Sequence, residues 1–185
     1  MQLNLPTFLT LLRIALIPVF VGVFFLPFRG ANLLCTALFG LAALTDWLDG
    51  YLARRLDQTS AFGAFLDPVA DKLMVAAALV LLVQAIPTPL MAVTAMIIIG
   101  REIAISALRE WMAQIGGHGR VAVSMIGKIK TTAQMVAVLL LLYREPLGGF
   151  FPTLAVGQGL LLIAAVLTLW SMLHYLLAAW PVLKA

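Results

Sequence analysis

The sequence predicts an all-α integral membrane protein: a bundle of six transmembrane helices with its active site at the cytoplasmic ends of the helices. Three observations predict it. Of the 185 residues, 63% are hydrophobic and 11% charged, whereas a soluble domain is about 45–50% apolar and about 25% charged. The apolar residues fall into six runs separated by polar or Gly/Pro punctuation. Lysine and arginine collect on one side of those runs. This composition excludes a disordered chain, a disulfide-stapled secreted domain and an ordinary cytosolic enzyme. Six spans of roughly 20 residues each leave little for a second domain, so residues 1–185 are expected to form a single membrane domain.

The first helix is expected over residues 8–26, ending at Pro27-Phe28-Arg29-Gly30. Met1 to Thr10 carries no basic leader and no small-residue cleavage site follows the apolar run, so this helix reads as a retained span. The second runs over 31–53 and ends at Arg54-Arg55. The third covers 62–85 and stops before Pro87-Thr88-Pro89. The fourth covers 90–112, and Gly116-Gly117-His118-Gly119 after it reads as a loop. The fifth covers 121–143, and the sixth covers 154–179 with Pro181 near its end. Trp111, Trp170 and Trp180 fit interfacial anchors. Cys35, His118 and His174 read as structural.

Alternating spans divide the twelve basic residues unequally. Arg13, Arg54, Arg55, Lys72, Arg101, Arg109, Arg120, Lys128, Lys130 and Lys184 fall on one side, and Arg29 and Arg144 on the other. Positive charge marks the cytoplasmic face, which puts both termini there. The net charge of +4 therefore serves topology, not nucleic-acid binding. Every acid except Glu145 lies on that same side, so any chemistry belongs to it.

Five of the eight acids crowd between positions 46 and 71: Asp46, Asp49, Asp57, Asp67 and Asp71. An acid in hydrocarbon costs at least about 2.5–3.5 kcal/mol, so such groups tend to be functional. At about 100° per residue, Asp49, Gly50, Ala53 and Arg54 all lie within roughly 80° of Asp46 on one helix face. Asp67 and Asp71 are four apart and share a face, with Gly63 one turn earlier. A short loop from Arg55 to Ala61 makes the second and third helices antiparallel neighbours, so four carboxylates converge. Four like charges need compensation. An all-carboxylate donor set with no Cys or His beside it suits a hard ion such as Mg²⁺ or Mn²⁺, and paired metals suit displacement at phosphorus. The small residues Gly50, Ala53 and Gly63 leave room for a phosphorylated group, to which Arg54 offers a fixed cation. Two other readings stay open at this point: acids paired with Arg54, Arg55 and Lys72 for folding, and a carboxylate relay that transports protons or cations.

The string Asp-x2-Asp-Gly-x2-Ala-Arg-x8-Gly-x3-Asp-x3-Asp resembles the signature of the CDP-alcohol phosphatidyltransferases. Asp46, Asp49, Gly50, Ala53, Arg54, Gly63, Asp67 and Asp71 match every specified position. The resemblance covers nearly the whole chain as one domain and implies a homodimer of six-helix subunits. It implies transfer of a phosphatidyl group from CDP-diacylglycerol to an alcohol, with release of CMP. It makes Asp46, Asp49 and Asp67 ligands of a pair of Mg²⁺ or Mn²⁺ ions, with Asp71 a ligand of the second ion and also the general base. Gly50, Ala53, Arg54 and Gly63 would line the cytidine diphosphate site. The stretch from Pro6 to Arg13 resembles the family's Pro-Asn-x2-Thr-x2-Arg pattern with Thr7 in place of Asn, which adds Thr10 and Arg13 to the donor site.

The acceptor must be recognised elsewhere. Cations outnumber acids on the cytoplasmic side, so an anionic acceptor is expected, and glycerol 3-phosphate fits. Arg101, Arg109 and Lys128 lie within apolar-flanked helices and are the candidate phosphate ligands. For Arg120 and Lys130, topology alone weighs as much as binding. Residues 100–110 and 124–135 resemble the fourth and fifth helices of the family branch that accepts glycerol 3-phosphate. Serine, inositol phosphate and phosphatidylglycerol are the alternative acceptors. Glu102 is expected to pair with a neighbouring cation.

Overall fold

The computed structural model describes residues 5–56, 61–114 and 125–183. For some residues within its helices, among them Asp49, Gly50, Ala53, Arg54, Arg109 and Lys128, it describes only the backbone. Six helices follow in order: α1 Leu5–Phe24, α2 Ala31–Leu56, α3 Ala61–Ala85, α4 Pro89–Gln114, α5 Met125–Tyr143 and α6 Thr153–Leu183. Among the described residues there is no strand, only an isolated bridge between Leu147 and Phe151 in the α5–α6 loop. The expected loop at 116–119, the first residues of the expected fifth helix, and Asp57 and Arg120 lie outside the described residues.

Local chemistry sets the helix limits. Thr88 caps α4, its Oγ1 accepting the Met91 N–H at 3.2 Å, and Pro89 supplies a first residue that has no N–H to satisfy. Gly30 precedes α2 at φ 101°, a left-handed conformation that costs glycine nothing. Beyond α5 the chain turns through Arg144 at φ 63°, whose N–H reaches the Leu140 carbonyl at 3.1 Å. The Arg144 guanidinium then lies 4.7 Å from the centre of the Phe24 ring, joining the ends of α1 and α5.

Among the described residues, three helices are long and apolar enough to cross a membrane, over Thr7–Phe24, Pro89–Met112 and Thr153–His174. Shorter apolar stretches occupy Ala31–Asp46 of α2 and Ile129–Tyr143 of α5. The outside of the bundle is apolar: Leu33, Phe65, Val80, Met96, Ile103, Val166 and Leu177 are all at least 60% exposed except Val166, at 59%. A water-facing surface does not carry so continuous an apolar coat, whereas lipid solvates it.

The core is built from Phe20, Phe39, Leu79, Leu82, Ile98, Leu141 and Leu161, each nearly or fully buried. The Phe20 and Phe39 rings lie 6.4 Å apart and tilted, pinning α1 to α2. The α5–α6 seam closes on Gly157, where an added Cβ would come within 2.8 Å of the Leu141 side chain. The arrangement around the carboxylates differs from the expected direct pairing of the second and third helices. α1 packs closely against both α2 and α3, which touch one another less. Buried side chains of α1 therefore mediate between the two acidic helices.

Candidate active site

Among the described residues, polar contacts cross between helices toward one end of the bundle. They join the start of α1, the end of α2, the start of α3, the end of α4, the start of α5 and the end of α6.

The first two contacts come from α1. Thr10 and Arg13 are one turn apart and share a face. Both are buried in an otherwise apolar helix, at 0% and 1% exposure. Thr10 Oγ1 donates to Asp67 Oδ1 of α3 at 2.5 Å. Arg13 Nη1 donates to Asp46 Oδ1 of α2 at 2.6 Å, a charge-assisted bond. Asp46 is half-exposed, so the pair joins a buried cation to a carboxylate that faces outward. One helix face thus fixes a carboxylate on each of its two neighbours.

Asp71 lies on α3 one turn beyond Asp67. It lines a small cavity with Arg13, Phe39, Ala42, Ala43 and Met135. Asp46, Arg13, Glu102 and Lys72 are all close enough to act on its charge. The two alanines keep the α2 wall of the cavity low. Pro68 sits between the acids within α3. Lacking an N–H, it cannot donate to the carbonyl one turn back. Gly63 is buried one turn before Asp67.

Asp49, Gly50, Ala53 and Arg54 belong to α2, and their side chains lie outside the described residues. Among the described residues, no three His, Cys, Asp or Glu side chains form a group that would hold a metal ion. Asp46, Asp67 and Asp71 are nonetheless gathered around Arg13 and Thr10 at one end of α1, α2 and α3.

A second polar cluster lies on α4. Arg101 Nη1 donates to Glu102 Oε1 at 2.7 Å, and Arg101 Nη2 donates to Ser171 Oγ of α6 at 3.2 Å. Lys130 Nζ of α5 reaches the same Glu102 oxygen at 3.2 Å. Glu102 pairs with cations, as its neighbours predicted. Lys130 is buried within α5, so it is not a loop charge. Lys72 donates to Ser106, whose hydroxyl donates on to the Glu102 carbonyl at 2.8 Å. Arg109 and Lys128 belong to α4 and α5, with side chains outside the described residues.

Sequence reasoning placed Thr10 and Arg13 at the donor site without their partners. It also missed Ser106 and Ser171. A signal for the first pair was present: an arginine and a threonine one turn apart within an apolar helix need polar partners, and the nearest acids are those of the motif. No comparable signal marks Ser106 or Ser171, because an isolated serine in a membrane helix satisfies itself on the carbonyl one turn back. Both do so here.

The family model for CDP-alcohol phosphatidyltransferases matches residues 3–171. Similar curated proteins are bacterial and named CDP-diacylglycerol–glycerol-3-phosphate 3-phosphatidyltransferase. That of Pectobacterium atrosepticum is 58% identical over 179 residues, covering 97% of this chain and 96% of the relative. That of Sodalis glossinidius is 56% identical over 181 residues with the same coverage. That of Pseudomonas fluorescens is 54% identical over 185 residues, covering 98% of this chain and 93% of the relative. With its motif complete and the match spanning most of its helices, this chain belongs to the CDP-alcohol phosphatidyltransferase family.

Proposed function

We propose that this protein transfers the phosphatidyl group of CDP-diacylglycerol to glycerol 3-phosphate, giving phosphatidylglycerophosphate and CMP. The reading is carried by near full-length identity above one-half to bacterial proteins named for that reaction. The geometry supports it: carboxylates of one motif, on two helices, are both tied to α1 at the polar end of an apolar bundle. That arrangement suits a donor whose acyl chains stay in the bilayer while its diphosphate meets a soluble acceptor at the surface.

Asp46, Asp49, Asp67 and Asp71 would hold Mg²⁺ or Mn²⁺. Their donor chemistry fits such an ion, being all hard oxygen. When bound, a divalent ion supplies the charge that offsets the diphosphate of the donor and the departing CMP. Arg13 and Thr10 act beforehand: each fixes one carboxylate through Oδ1, so the donor set is ordered before substrate arrives. Gly50, Ala53 and Gly63 leave space for the nucleotide, and Arg54 binds its phosphates.

Asp71 takes the proton from the acceptor hydroxyl. The freed oxygen attacks the β-phosphorus of CDP-diacylglycerol, the bond from that phosphorus to the CMP oxygen breaks, and CMP departs. Arg101, Arg109 and Lys128 hold the acceptor's phosphate. All six helices cross the bacterial inner membrane, with both termini and the site cytoplasmic, and the chain forms a homodimer.

Incubating the purified protein with CDP-diacylglycerol and each of glycerol 3-phosphate, serine, inositol phosphate and phosphatidylglycerol tests the assignment. CMP release with glycerol 3-phosphate alone is expected. Release with serine and none with glycerol 3-phosphate would overturn it. Ion flux through liposomes without any CMP release would point to the transporter reading instead.

A further inference from the structure

Glu102 stands out among the polar groups. One of its oxygens, Oε1, accepts from two cations on two helices: Arg101 of α4 at 2.7 Å and Lys130 of α5 at 3.2 Å. The three side chains differ in access. Arg101 is 11% exposed and Lys130 is 5%, while Glu102 is 29% exposed. The carboxylate therefore caps two buried cations from the open side. The cluster keeps a spare donor, because Arg101 Nε is buried without a hydrogen-bond partner among the described residues. A buried ion cluster is a poor way to gain stability, since apolar residues of similar volume do as well or better. At membrane depth such a group points to function.

We propose that Glu102 is a displaceable internal anion: it occupies the cation pair of Arg101 and Lys130 when no acceptor is bound and yields it to the acceptor's phosphate. This inference rests on the phosphate-bearing acceptor proposed above. A phosphomonoester dianion matches the vacated contacts better than the carboxylate it replaces. It carries more charge, and its three oxygens can take Arg101 Nε together with the two donors that Glu102 holds. Its cost is the free energy of separating Glu102 from its partners, so the carboxylate weakens acceptor binding and at the same time rejects weakly charged competitors. A neutral alcohol gains nothing by expelling it. Glu102 is then a specificity-determining residue and takes no part in proton transfer.

Full-length protein carrying Glu102→Gln tests this. Removing the competing charge should lower KM for glycerol 3-phosphate by about fivefold or more and leave KM for CDP-diacylglycerol within about twofold. Inorganic phosphate should also raise the thermal midpoint of the variant more than that of the wild type, a readout that needs no turnover. An unchanged or increased KM for glycerol 3-phosphate in a folded variant would overturn the proposal. Glu102→Asp shortens the same carboxylate by one methylene and decides the matter if the glutamine variant unfolds. It should lower the same KM, and failure of both variants to fold would make Glu102 a strut and sink the idea. A wild type that releases no CMP with glycerol 3-phosphate, yet whose Gln variant gains phosphate-dependent stabilisation, would separate failure of the acceptor assignment from failure of the anion-displacement idea.

Discussion

Arg13 of α1 donates to Asp46 of α2 across 2.6 Å, from a side chain that is 1% exposed to a carboxylate that is 42% exposed. One turn earlier on the same helix, Thr10 holds Asp67 of α3. Two motif carboxylates that are 21 positions apart in the chain (67 − 46) are therefore fixed by one face of a third helix. α1 contributes no acid, yet it sets where the acids stand.

Replacing Arg13 by alanine should remove both the charge-assisted bond and the packing of its buried stem. The half-exposed carboxylate limits the loss to roughly 1–3 kcal/mol. The thermal midpoint in detergent should fall and CMP release should drop sharply. Arg13→Lys should recover part of the stability but less of the activity, because an ammonium does not reproduce the planar fork. A variant with wild-type turnover would remove Arg13 from the account.

Thr10→Val keeps the shape of a fully buried side chain and deletes its hydroxyl. The stability cost should be about 1 kcal/mol. The rate should suffer more, by about tenfold to a hundredfold, because Asp67, proposed above as a metal ligand, would be displaced and the reacting groups misaligned. Thr10→Ser, which retains the donor, should stay near the wild-type rate. Comparing CMP release at saturating substrate across the pair checks the role of the hydroxyl.

Asp71→Asn should lower turnover by about two to four orders of magnitude, the range expected for loss of a general base. CDP-diacylglycerol binding should largely survive, which an equilibrium binding measurement on the same variant would establish. Near-wild-type turnover would exclude Asp71 as the base.

Gly157→Ala probes the fold away from the chemistry. The added Cβ would meet the Leu141 side chain at 2.8 Å, and such overpacking typically costs about 1–3 kcal/mol. The thermal midpoint should fall while KM for both substrates holds. A variant as stable as wild type would mean that the α5–α6 seam has slack.

Much of this was legible in the sequence because the signals were local. Six apolar runs became six helices with ends displaced by only a few residues, since Pro89, Gly30 and the 144–149 turn punctuate the chain through backbone chemistry. The spacing of Asp67 and Asp71 placed both on α3, and the motif named the family. What escaped was contact between distant segments. Nothing in the spacing of Asp46 and Asp67 reveals that α1 packs against both helices, so Arg13 and Thr10 had no assigned partners. For Lys130 the sequence left topology and binding evenly weighed, and it did not show that α4 brings Glu102 against it. Helix packing is set by side-chain shape across the bundle, and one-dimensional periodicity does not encode it.

The most direct test of the central claim is CMP release from CDP-diacylglycerol and glycerol 3-phosphate by the purified protein, before and after chelation of divalent ions. The account predicts release by the metal-replete protein, loss on chelation, and recovery on adding Mg²⁺ or Mn²⁺. Release that persists undiminished in excess chelator would contradict a carboxylate-held metal as the centre of the reaction.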